Sequence, residues 1–345
     1  MIFYEKQNHF SVKTLIPIIL TALSLNSFGQ QKADYQNPTL PIEKRADLLM
    51  AKMSIEDKAA QLCFIINANY LFDDQGNVDE AKVSAMFKDG IGSVSFGQVK
   101  MPMEKAVKMD NALQKVLIEK TRLGIPYIYI GEGLHGFMGV GATSFPQAIA
   151  LSCTWDTTLI EHVFAATAME MRTRGFQQAL TPVIDLAREP RWGRTEETYG
   201  EDPYLTSRIG KAAIVGLQGR GPMIDNQHVI ATVKHFAGHG QSEGGNNISP
   251  VICDERYFRE NHLYPFEVAV KEAKVKSVMP SYNEWSAIPN HSNPWLLKTV
   301  LRDEWGFDGN VISDQIFQVN TMVVEAGSKP LAEIFPPSKK DDKKK

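Results

Sequence analysis

Asp314 closes a short apolar run, Gly306-Phe-Asp-Gly-Asn-Val-Ile-Ser-Asp314. A carboxylate at the carboxyl end of a buried strand can serve as nucleophile, metal ligand or counter-charge to a bound cation. The plainer alternative is that it caps a following helix over Ile316 to Gly327, a role Asp favours. Lys234 and His235 end a second run, Ala231-Thr-Val-Lys-His-Phe-Ala-Gly-His-Gly240, and a pair of donors there suits a hydroxyl-rich ligand. Neighbours on a pleated strand face opposite ways, so both reach one pocket only if the strand bends at its end. In isolation the pair reads as a lysine bonded to a nearby carboxylate and a histidine bonded inside the fold. His235 and His239 have a spacing that binds metal on a helix, but Phe-Ala-Gly after a strand supplies no helix, so no metal is expected.

Three further segments carry polar groups. Glu132 follows the apolar run Pro126 to Ile130. Arg188 to Pro203 mixes arginines and glutamates, among them Arg191 and Arg194, with Trp192 and Tyr199, either a cage of charge-assisted hydrogen bonds or a surface loop held by salt bridges. Gly238-His-Gly-Gln-Ser-Glu-Gly-Gly245, with Glu243, lacks the Gly-Lys-Ser/Thr ending of a phosphate-binding loop and reads as a mobile loop beside a site. Trp192, Tyr199, Tyr282 and Trp285 could stack on sugar faces, although such aromatics are more often packing.

Apolar runs predict strands at Leu62 to Ile66, Gly92 to Phe96, Pro126 to Ile130, Ala179 to Ile184, Ala231 to Phe236, Lys276 to Pro280 and Gly309 to Ser313. Amphipathic stretches alternate with them: Met103 to Arg122, Thr158 to Gly175, Leu205 to Gly219, Tyr257 to Ala273 and Asn293 to Trp305. The alternation implies a parallel sheet with covering helices, and no glycine fingerprint of a doubly wound sheet follows the first strand. Polar groups crowd after strand ends instead, at Glu132, Asp185, Lys234-His235, Tyr282-Asn283 and Asp314. The expected fold is therefore α/β, a (β/α)8 TIM-type barrel with about seven of its eight strands, incomplete at the C-terminus.

The 345 residues, 43% of them hydrophobic, suffice for such a core, and a net charge of −3 gives no electrostatic footprint for nucleic acid. Residues 1–29 resemble a signal peptide: Lys13 precedes the apolar run Leu15 to Leu25, about eleven residues where ~20 span a bilayer. The chain is thus expected to be exported, periplasmic or extracellular, with no membrane association after cleavage. A polar lead over 30–41, one domain over 42–327 and a disordered lysine-rich tail over 328–345 complete the expected organisation. Cys63, Cys153 and Cys253 form no disulfide or CxxC pattern and are expected to be buried apolar residues.

The segments IPYIYIGEGLHG, FPQAIALSCTWD, REPRWGRTEETYGEDPYL, ATVKHFAGHG, VMPSYNEWSAIPNHSNPWLL and LRDEWGFDGNVISD, in this order, resemble glycoside hydrolase family 3, the β-glucosidase and β-xylosidase family. The resemblance implies retaining, exo-acting hydrolysis of β-linked glycosides without a cofactor. Asp314 would be the nucleophile. Glu132, Arg194, Lys234, His235 and Tyr282 would bind the sugar, with Arg191 and Glu243 as further pocket members. A cation-like sugar ring held in a polar cage beside an anion is coherent with that mechanism.

Two departures qualify the expectation. Gln315 stands where an aromatic commonly follows the nucleophile. No acid/base residue is found about 5–5.5 Å from the nucleophile's expected place, because in most of the family it comes from a second domain. The β-N-acetylhexosaminidase branch carries an Asp-Ser-His acid/base after its KHFPGHG segment, but here the loop continues Gly245-Asn-Asn247. The chain is therefore expected to lack the acid/base domain and to be weak or inactive alone. Xylose in place of glucose, a catalytically silent carbohydrate-binding barrel and an unstable fragment are the competing expectations.

Overall fold

Strand β5 (Ile230–Phe236) is buried along its whole length except at its first residue, as expected of a strand covered on both faces of a parallel sheet. The computed structural model describes residues 34–66, 68–95 and 101–314. Residues 1–29, the end of the second predicted strand, Gln315, the stretch 316–327 and the tail 328–345 lie wholly or partly outside that range.

Seven strands lie parallel in the order β1 (Phe64–Ile66), β2 (Ser93–Ser95), β3 (Ile128–Gly131), β4 (Gln178–Ala179), β5, β6 (Ser277–Pro280) and β9 (Asn310–Val311). Together they form a curled, incomplete TIM-like barrel among the described residues. All seven predicted strands are present, six of them shorter than predicted and β5 one residue longer. Between β6 and β9 lies a hairpin that apolar patterning did not reveal, β7 (Glu284–Trp285) with β8 (Ile288–Pro289). Its two-residue turn puts Ser286 at φ 56° and Ala287 at φ 59°. That is the left-handed pair of a type I′ turn, without the Asn-Gly that usually signals one.

The barrel interior is lined by Ile130, Leu180, Met279 and Ile312, with Phe64 packed against them. A polar layer crosses it where Gln178 Nε2 donates to Thr232 Oγ1 at 2.9 Å and Ser277 Oγ at 3.0 Å. Helices Thr157–Thr173 and Pro203–Gln218 cover the outside, each started by an aspartate: Asp156 accepts from Thr158 and Leu159 N–H, Asp202 from Leu205 N–H. They approach so closely that a Cβ at Gly216 would lie 2.4 Å from the Glu161 carbonyl oxygen. The predicted helix Tyr257 to Ala273 is divided into Glu255–Tyr257, a π-helical stretch Phe258–Leu263 and Tyr264–Lys271. Pro265, at the start of the last piece, has no N–H to continue the α pattern, which accounts for the altered turn before it.

The cysteine expectation fails. Cys63 and Cys153 are exposed and Cys253 is half-buried, all with free thiols. Cys63 lies between a helix end and the edge strand β1, and Cys153 follows the short helix Ala148–Ser152, so neither faces the core.

Two compact units divide the chain at Glu56/Asp57. The first holds a short 3-10 turn, Asp34–Gln36, and helix Ile42–Met50. The second holds the sheet, its helices and every residue discussed below.

Candidate active site

The strand ends converge on one polar cluster. Between Lys234 and Phe236 the β5–β6 register shifts, and the Lys234–His235 and Phe236–Ala237 peptide bonds are cis. An irregularity of this kind at a strand end re-aims side chains. Lys234 and His235 are both almost fully buried.

Each of them meets a carboxylate. Lys234 Nζ donates to both oxygens of Glu132, which follows β3, at 3.1 Å. Oδ2 of Asp185 accepts both the His235 backbone N–H at 2.9 Å and the ring Nδ1 at 2.8 Å. The two plainer readings of this pair therefore hold, and they hold inside the cluster. On the other side of the ring, Arg194 Nη2 lies 3.2 Å from His235 Nε2. Its guanidinium makes a fork with Glu197, Nε to Oε1 at 2.7 Å and Nη2 to Oε2 at 2.8 Å. Such a two-pronged contact fixes the plane of the guanidinium as well as its position.

Asp314 joins from the end of β9. Tyr282 donates its hydroxyl to Asp314 Oδ1 at 2.6 Å, and Asp314 Oδ2 lies 3.7 Å from His235 Nε2. The Asp314 backbone N–H donates to His291 Nε2 at 3.3 Å. Asp314, Tyr282, His235, Lys234, Glu132 and Arg194 are thus brought together. Arg191 and Glu243 are not: Arg191 is 70% exposed and forked onto Glu189, and Glu243 is exposed on a cleft with Arg188 and Tyr257. Trp192 and Tyr199 are buried, and Trp285 stacks on Phe258, so these three are packing residues.

Residues to which the sequence assigned no site role complete the cluster. Asp185 and Glu197 hold the histidine and the arginine. Asn247, at the place where an acid was sought, accepts at Oδ1 from Trp192 Nε1 and His239 Nε2, both at 2.8 Å. This pins the glycine-rich loop, whose backbone passes so near the segment that follows β4 that a Cβ at Gly240 would lie 2.1 Å from the Leu186 carbonyl oxygen. His235 and His239 do meet, with ring centroids 4.5 Å apart at 77°, through a turn at Gly238 (φ 91°) and without a helix.

Burial sets the ionisation of these groups. It pushes the Asp185 carboxyl up to about 7, against the pull of the His235 N–H, Arg194 and Lys234. It pushes His239 down to about 4, helped by the Arg194 charge, and holds His235 well below its ordinary range. Burial also raises Glu197, but the fork and charge of Arg194 outweigh it and leave the carboxyl lowered. Ligand-capable atoms of Asp185, His235 and His239 lie within 4.8 Å of one another. A divalent ion there would displace the His235–Asp185 or His239–Asn247 bond beside two cations, so the donor set suits a neutral hydroxyl-bearing ligand better than a metal.

The model of the glycosyl hydrolase family 3 N-terminal domain matches residues 54–332, and the chain belongs to this family. It is 38% identical over 288 residues to a putative beta-xylosidase of Formosa agariphila, covering 82% of this chain and 38% of that protein. It is 32% identical to a periplasmic beta-glucosidase of Salmonella typhimurium, covering 85% of this chain and 35% of that one. A β-glucosidase structure from Erythrobacter marinus superposes with a TM-score of 0.76 at 37% identity, over 83% of this chain and 38% of that one. The chain thus spans well under half the length of these relatives.

Proposed function

We propose that the carboxyl rim of this barrel binds the non-reducing sugar of a β-linked glycoside and that Asp314 attacks its anomeric carbon to form a glycosyl-enzyme intermediate. The observation that carries this reading is the setting of Asp314: one oxygen is held by Tyr282 at 2.6 Å, and the other faces the ring of His235. A carboxylate so fixed has one oxygen aimed and one hydrogen-bonded, as a nucleophile requires. Glu132, Lys234, Arg194 and His235 supply donors and acceptors for the sugar hydroxyls.

Glucose is the proposed substrate sugar, on the family and the β-glucosidase relatives. Xylose is the second reading, favoured by the putative beta-xylosidase relative at 38% identity. Residues 42–327 are proposed to form the catalytic-type domain. Export is proposed from the signal-like segment over 1–29 and from the periplasmic relative.

The general acid is a separate question. Among the described residues the other rim carboxylates are engaged: Glu132 by Lys234, Glu197 by Arg194 and Asp185 by His235, and Asp185 is wholly buried. An aryl glycoside with a good leaving group needs little protonation and is the right probe. Incubation with 4-nitrophenyl β-glucoside and the matching xyloside, followed by trapping with a 2-fluoro-glycosyl fluoride, is expected to label Asp314. A covalent adduct on any other residue overturns the nucleophile assignment. Neither turnover nor an adduct, in a chain that melts cooperatively, favours a silent sugar-binding barrel.

A further inference from the structure

Two buried histidines stand side by side at the rim and face acceptor oxygens at opposite ring nitrogens. His235 has the carboxylate oxygen of Asp185 at Nδ1, 2.8 Å away, and the guanidinium of Arg194 at Nε2, 3.2 Å away. An arginine side chain has no acceptor, so Nε2 must accept and the ring proton must be on Nδ1. Both sides of the ring give the same answer. The assignment is indifferent to whether Asp185 Oδ1 carries a proton, because Oδ2 is the atom that faces the ring.

His239 is assigned by the same logic in the other sense. Asn247 Oδ1 accepts from Trp192 Nε1, which is a donor only, and so presents an oxygen to His239 Nε2. The His239 proton is therefore on Nε2.

We infer that Asp185 is a positioning residue: it fixes His235 as the neutral Nδ1–H tautomer, so that Nε2 accepts from Arg194 and presents no proton beside Asp314. The inference rests on the reading of this rim as a sugar pocket and adds a direction to it. The Nε2 lone pair of His235 is then taken by Arg194, and the ring presents no proton to the sugar, where the sequence suggested a donor. Its Nε2 lies 3.7 Å from Asp314 Oδ2, so a charged ring there would compete with a cation-like sugar for the same carboxylate. A neutral ring leaves that attraction to the transition state.

The test is long-range nitrogen–proton NMR on the full chain labelled in histidine, with His235 assigned by loss of its signals in H235Q. The expected wild-type spectrum at pH 7 shows His235 protonated at Nδ1 and His239 at Nε2, two opposite patterns in one sample. In Asp185→Asn the amide oxygen takes the place of Oδ2, because the His235 backbone N–H there can only donate, and His235 is expected to keep Nδ1–H. In Asp185→Leu that acceptor is gone, and His235 is expected to lose its single Nδ1–H pattern with at least a tenfold loss of affinity for isofagomine, an iminosugar cation. Nε2–H or a charged ring at His235 in the wild type overturns the inference, as does an unchanged Nδ1–H pattern in Asp185→Leu. If that variant does not fold, the wild-type spectrum alone decides. If the tautomers are as expected but neither isofagomine nor glucose moves any histidine signal, the sugar-pocket reading fails and the tautomer assignment stands.

Discussion

The two ends of the sheet are both charged, yet they are built differently. The end near the starts of β6 and β9 holds a cavity of about 730 Å³ lined in part by Lys211, Glu272, Lys274 and Asp308. Its ion pairs are open to water: Arg208 and Lys211 reach Glu272 with side chains 29%, 37% and 42% exposed. At the carboxyl rim the charged side chains are withdrawn, with Lys234 at 5%, His235 at 2% and Asp185 at 0%. Volume alone would select the other end. What supports the rim as the proposed functional end is charge taken out of water and held by several partners at once, a costly arrangement that folding alone does not require.

The largest effect should come from Asp314→Asn. If the rim is the reacting end, kcat/KM on 4-nitrophenyl β-glucoside should fall by at least the order of 10³-fold, about 4 kcal/mol, with the melting temperature within a few degrees of wild type. Retention of a tenth of the activity would remove the distinction between the two ends.

Lys234→Met tests the withdrawn ion pair. It leaves the Glu132 carboxylate, 34% exposed, without its cation. Stability should fall by about 2 kcal/mol, less than the roughly 3–5 kcal/mol of a fully buried pair. Isofagomine affinity should fall by about 10²-fold, roughly 2.7 kcal/mol. Adding Glu132→Gln should recover part of the lost stability, since the stranded charge is then gone. Strict additivity in urea unfolding would mean the two residues do not act as a pair.

Much of the rim was legible in advance because its residues end apolar runs. Glu132 and Asp314 follow, and Lys234 and His235 lie in the last residues of, strands whose composition announced them, and the barrel class followed from the alternation. What was missed was held by contacts across sequence distance. Asp185 serves a histidine fifty positions on, and Asn247 serves Trp192 and His239 through a loop closure that no periodicity encodes. The Ser286-Ala287 turn was hidden for a different reason, since neither residue is one that left-handed turns favour. Arg191 looked like a pocket residue because it sits in the same charged segment as Arg194, but only Arg194 faces inward.

Acid should separate the two ends by pH window. His239 and His262 are pushed by burial to about 4 and about 3. Unfolded imidazoles titrate near about 6.5. As pH falls from about 6.5 toward 4, the unfolded chain takes up protons that the folded chain refuses, and stability should drop by up to about 1.4 kcal/mol per pH unit for each such histidine. Asp185, raised to about 7 by burial, works the other way, because its stabilising contribution grows as pH falls through that range. Burial lowers four histidines, His235, His239, His262 and His291, and raises two aspartates, Asp185 and Asp110, so the urea midpoint should still be lower at pH 5 than at pH 7. A midpoint that rises would show that the histidines fold charged and would contradict the neutral pair at the rim.

The opposite end should barely respond in that window. Glu272, lowered to about 2 chiefly by its hydrogen bond from Arg208, contributes above the ordinary glutamate range and loses its contribution only as pH falls from about 4.5 toward 2. Because it is largely exposed, solvent screens it. Glu272→Gln should therefore lower stability by less than about 1 kcal/mol, and by less still at high salt. Isofagomine affinity should be unchanged in this variant. If Glu272→Gln weakened the ligand as strongly as Lys234→Met, the large cavity at the strand starts would have to be part of the binding apparatus, and exposure would no longer distinguish the two ends.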